Sequence, residues 1–187
     1  TRVISAVVLL TGLALALSGV LVYLQSQASL QSRVSADLAR VADEIELLAA
    51  ELDPATGEPF ADPEVLLRAA MEREVHLPSE GSFAVLAGRV RFISQPAVRF
   101  RPEKNPELVE AVLPLTTGDV VVFGEAETAL GGVRYVVVPV RFPETGATGA
   151  MVHVVDMDAE RALLRPTFTT YALVAAAKTK ASRSNAS

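Results

Sequence analysis

A chain of 187 residues with 50% hydrophobic content and a mean hydropathy of +0.35 has room for one modest domain plus segments that meet lipid. It contains no cysteine, which excludes a disulfide framework, a thiolate metal site and a thiol nucleophile. All 22 acidic residues lie between Asp37 and Glu160; within residues 25–162, 12 basic residues leave a net charge of −10, and so acidic a surface argues against a nucleic acid partner.

The flanks carry Arg2, Arg165, Lys178, Lys180 and Arg183 and no acid. Lys and Arg beside membrane segments stay on the cytoplasmic side, so this asymmetry predicts a cell-membrane protein with residues 26–162 extracytoplasmic. Residues 1–25 are expected to form a first transmembrane helix. Val3 to Leu24 holds no charge, and about 20 helical residues cross a hydrocarbon core of about 30 Å. A cleaved signal peptide is the competing reading, but its apolar core would be shorter. Ser5, Gly12 and Gly19 recur every seven residues, with Ala16 one turn from Gly12. Such a small-residue stripe lets two membrane helices approach closely, or else reflects only the ordinary composition of such helices.

From Gln25 to Leu52 there is no Pro or Gly, and two heptad series, Val34, Val41, Leu48 and Leu38, Ile45, Leu52, predict that the helix continues with a narrow apolar seam. The seam suits packing on a sheet or pairing with a second copy. DPATGEPFAD (53–62) is a turn-rich break. Asp62-Pro63-Glu64 then opens a short helix to about Glu74, and Asn105-Pro106-Glu107 repeats the device for a helix from Pro106 to Val112. SFAVLAGRVRFIS reads as a hairpin turning at Ala87-Gly88. GDVVVFGEAETALGGVRYVVVPVRF reads as two strands joined at Gly131-Gly132, and AMVHVVDM as a last strand leading to a helix at Asp158. The fold class is therefore α+β, with a five-stranded antiparallel sheet flanked by helices. Residues 163–177 resemble the start of a second crossing, and 178–187 read as a non-native tail.

Two strands, a helical crossing and a three-strand meander form the arrangement of PAS-like sensor domains. On LQSRVSADLARVADEIELLA, GGVRYVVVPV and MVHVVDMDAERALLRP, the chain resembles the input region of bacterial two-component sensor histidine kinases, with an extracytoplasmic domain of the PDC or Cache kind. The resemblance implies a homodimer in membrane lipid that signals to a cytoplasmic autokinase, which uses ATP and Mg, and through it to a cognate response regulator. No kinase motif stands in this sequence. The sequence predicts no catalytic residue, no metal ligand set and no cofactor site of its own; a stand-alone membrane-anchored or secreted binding domain is the alternative.

Candidate binding residues are few. Arg89, Arg91, Arg99 and Arg101 repeat a strand spacing in an acidic domain, which suits either a small anionic ligand gripped bidentately or a charged strand edge. Arg134 and Tyr135 open a late strand. His153 shares a strand face with Met151 and Val155, as a core histidine or as one wall of a pocket. His76 and His153 show no metal-ligand spacing, so the sequence predicts no metal there. Asp43, Glu44 and Glu46 fit a solvated helix face.

Overall fold

The computed structural model describes residues 2–129, 131–142 and 146–163. The expected second crossing and the tail lie outside these residues, apart from Leu163. The chain divides into two compact units, residues 1–37 and the remainder.

One helix, α1 (Arg2–Ala50), begins the chain. In its first unit Leu10, Leu13, Leu15, Leu17, Val20, Leu21 and Leu24 are all more than half exposed, around the whole circumference of the helix. A helix that is apolar all round and uncovered is long and apolar enough to cross a membrane. Gly12 and Gly19 face open space, as a helix-pairing stripe requires; the side chains of Ser5 and Ala16 lie outside the described set.

In the second unit the last turns of α1 bury Leu38, Val41, Ala42, Ile45 and Leu48, the heptad seam plus one alanine. The seam stops one residue set short. The helix ends at Ala50, and Leu52 is exposed in an isolated bridge to Pro59, because Asp53 opens a turn whose Gly57 and Thr56 amides return to the Asp53 carbonyl. Helix α2 (Pro63–Arg73) starts where the Asp62 carboxylate accepts a hydrogen bond from the Glu64 amide at 2.7 Å, and α3 (Pro106–Val112) starts where Asn105 accepts one from Leu108 at 3.2 Å.

The strands are β1 (Glu80–Leu86), β2 (Arg89–Ile93), β3 (Val122–Thr128), β4 (Gly131–Phe142) and β5 (Ala147–Asp156), all paired antiparallel in the order β2-β1-β5-β4-β3. The β1–β2 turn places Ala87 and Gly88 at positive φ, the geometry of a tight two-residue hairpin. The last strand therefore runs beside the first, in the middle of the sheet. Its length is buried on both faces. On one face Phe83, Val85, Tyr135, Val137, Val152 and Val154 pack with Leu108 and Val112 of α3. The other face, carrying Ala84, Val136, Val138, Met151, His153 and Val155, lies against α2, which buries Leu66, Leu67, Ala70 and Met71. A helical stretch, 157–163, follows β5, started by the Asp156 side chain accepting from the amides of Asp158 and Ala159 at 2.9 Å each.

Candidate functional site

Antiparallel pairing of β1 with β5 sets Ser82 directly opposite His153, and pairing of β4 with β5 sets Val136 on its other side. His153 thus stands at the centre of the sheet, on the α2 face, only 3% exposed. The carboxylate above it comes from the end of α2. Glu74 is the C-cap residue, with φ −70° and ψ 130°, so the chain leaves the helix extended. In an extended segment residues two apart point the same way. Glu74 and His76 accordingly turn inward, while Val75 between them is 89% exposed. The loop is held in place by Glu80, which accepts a hydrogen bond from the Leu77 amide at 2.9 Å, and by the Ser79 carbonyl, which accepts one from Asp156 at 2.8 Å.

These placements gather three ionisable groups and two hydroxyls. His153 Nδ1 lies 2.6 Å from Glu74 Oε1, and His76 Nε2 lies 3.2 Å from Glu74 Oε2. The Ser82 hydroxyl donates to Glu74 Oε1 at 2.8 Å and lies 2.9 Å from His153 Nδ1 and 3.0 Å from His76 Nε2. Ser94 Oγ exchanges hydrogen bonds with the Ser82 backbone at 2.8 Å and approaches His76 Nε2 at 3.3 Å. The two imidazole rings lie nearly parallel, 10° apart, with centroids separated by 5.9 Å.

Burial of the Glu74 carboxyl would raise its pKa. His153, by a hydrogen bond and by charge, and after it the nearby His76 more than reverse this and hold it at about 2 instead of 4.5. Glu74 is therefore an anion at any physiological pH. The 3.2 Å contact with His76 is close enough for an ion pair but lacks hydrogen-bond alignment, and Glu74 Oε2 is buried with no hydrogen-bond partner. One nitrogen from each histidine and a carboxylate oxygen all lie within 4.8 Å of one another, near enough to hold a metal ion. Glu74 also lines a cleft of about 290 Å³ with Met151, Ala70 and Arg73, closed on the other side by Val41, Glu44, Ile45, Leu47, Leu48 and Glu51 of α1.

The other candidates are spread over the sheet. Arg89 and Arg91 are exposed on the edge strand β2, where Arg91 pairs with Glu64 at 3.2 Å and flanks the Phe92 ring. Arg99 is exposed in the following loop, and Arg101 pairs with Glu103 at 2.7 Å. Arg134 lies 3.8 Å from Glu125 across β3, two strands away from β1. Tyr135 belongs to the core on the α3 face of the sheet, the face that His153 does not share. Arg91 and Arg101 each already have a carboxylate beside them, which lessens their pull on an anionic ligand. The sequence spacing placed His76 at a helix end and His153 in a distant strand; the pairing of β1 with β5 brings both beside Glu74. Glu74 was missed altogether; the Glu-Val-His spacing after a helix end was the one local signal. No family model matches this chain, and no curated protein matches it.

Proposed function

We propose that this chain is the transmembrane and extracytoplasmic input region of a two-component sensor histidine kinase, with a PAS-like domain of the PDC or Cache kind. The observation that carries the reading is α1: one helix has an uncovered apolar belt in its first half and core residues of a mixed α/β domain in its second. Two strands, a helical crossing and a three-strand meander then follow, the arrangement on which the resemblance to PAS-like domains rests. The cleft beside Glu74 and Met151 gives such a domain a place to meet a stimulus.

In this reading the domain works as a homodimer, and residues 157–163 lead back towards the membrane and a cytoplasmic autokinase. ATP, Mg and the response regulator belong to that cytoplasmic part. The test is the size of the native product, by immunoblot of source-cell membranes with an antibody against residues 38–163. A membrane band more than twice the 19.8 kDa of this chain is expected. A band near 20 kDa sinks the receptor reading and leaves a membrane-anchored binding domain.

A further inference from the structure

We infer that Glu74, His76 and His153 form a binding site for a divalent transition-metal ion of the zinc class. The inference rests on side-chain geometry alone and stands apart from the receptor reading. Two imidazole nitrogens and one carboxylate oxygen make an N2O donor set, which suits zinc and its neighbours and disfavours magnesium and calcium, whose shells are built from oxygen. Three protein ligands with one position left for water or a small molecule is the pattern of an open zinc site.

Two features of the cluster point to an ion beyond mere proximity, and the serine hydroxyls must yield to it. Glu74 Oε2 is a buried carboxylate oxygen without a hydrogen bond, an arrangement that leaves one lone-pair site unsatisfied 3.2 Å from His76 Nε2. The Ser82 and Ser94 hydroxyls lie against His76 Nε2, and Ser82 against His153 Nδ1, so they occupy the ligand nitrogens and turn aside as an ion enters. Finally, Glu74 borders the 290 Å³ cleft, which gives an ion a route in and a small ligand access to the open position.

The hydrogen-bonded cluster is tighter than a coordination shell. Zinc bonds of about 2.0–2.1 Å in a tetrahedral arrangement keep ligand atoms roughly 3.3 Å apart. Glu74 Oε2 already has that spacing from His76 Nε2, at 3.2 Å, whereas the other oxygen, Oε1, lies 2.6 Å from His153 Nδ1, so the carboxylate must turn for one oxygen to serve both histidines' ion. Glu74 is the residue placed to move, because it stands at the end of α2 and on the wall of the cleft. Imidazole ligates as the neutral base, so any proton that a ring carries leaves as the ion binds.

The chain has two histidines, so their imidazole signals report on this site without ambiguity. The test uses the full chain in detergent micelles, free of any polyhistidine tag and treated with a chelator. Imidazole 15N spectra and calorimetry are recorded against zinc chloride, with magnesium chloride as control. One equivalent of zinc is expected to shift both imidazoles, with no change from magnesium, and His76→Gln and Glu74→Gln should each weaken binding at least tenfold. The wild-type spectra decide the matter even if a variant fails to fold. Unmoved imidazoles, a shift of one ring alone, or unchanged affinity in folded variants each overturn the site.

Discussion

At the scale of single residues, Glu74 governs how its surroundings respond to acid. Its carboxyl in the folded chain is held at about 2, against 4.5 unfolded, so the unfolded state takes up a proton first as pH falls. The stability that Glu74 contributes is fully present above about 4.5 and is lost as pH drops towards about 2. The groups facing it are His153 and Ser82 from the sheet, with His76 from its own loop. In chelator-treated protein at neutral pH, Glu74→Gln should cost about 2 kcal/mol, or roughly 5 °C of melting temperature, by removing the anion between two buried imidazoles. Thermal melts across pH should show the gap between wild type and variant closing below 4.5. A gap that stays constant down to pH 2 would contradict this assignment.

At the scale of elements, the local signals in the sequence were sufficient for what is local. Asp62 and Asn105 mark helix starts, Ala87-Gly88 marks a tight turn, and the seam from Leu38 to Leu48 marks a buried helix face; each is an effect of neighbours along the chain. The order of strands is not. Five strands can be counted from apolar alternation, but the placement of β5 against β1 depends on contacts between residues about 70 apart, and Ser82 meets His153 through that pairing. The two faces of β5 are both buried, so alternation could not tell a core histidine from one facing a helix end.

One glycine is fixed by the same sheet. A Cβ at Gly81 in β1 would stand 2.5 Å from the Phe100 carbonyl oxygen and 2.6 Å from Pro102, both rigid. Gly81→Ala should therefore destabilise the domain by about 1–3 kcal/mol, the usual cost of overpacking, measured by denaturant unfolding. Unchanged stability would mean that the loop carrying Phe100 yields more readily than its packing implies.

At the scale of the whole molecule, the first half of α1 is long and apolar enough to cross a membrane. Leu13 lies near the middle of the charge-free run, exposed and without tertiary cover. An arginine at the centre of a spanning helix costs about 2.5–3.5 kcal/mol on insertion. Leu13→Arg should reduce the share of protein that resists carbonate extraction from membranes, while leaving the unfolding of the sheet domain unchanged. Equal extraction of wild type and variant would remove the membrane assignment.

The chain has no cysteine, yet it joins distant parts of itself at one point: Glu74 and His153 are 79 positions apart in sequence and in contact in space. An ion held there is a cross-link. A permanent bond closing a loop of that size would withdraw about 4–5 kcal/mol of conformational entropy from the unfolded chain. A coordinated ion closes the same loop with bonds that exchange, so that the durability of the fold is set from outside, by the concentration of free metal, and is reversed by a chelator where a disulfide would need a reductant.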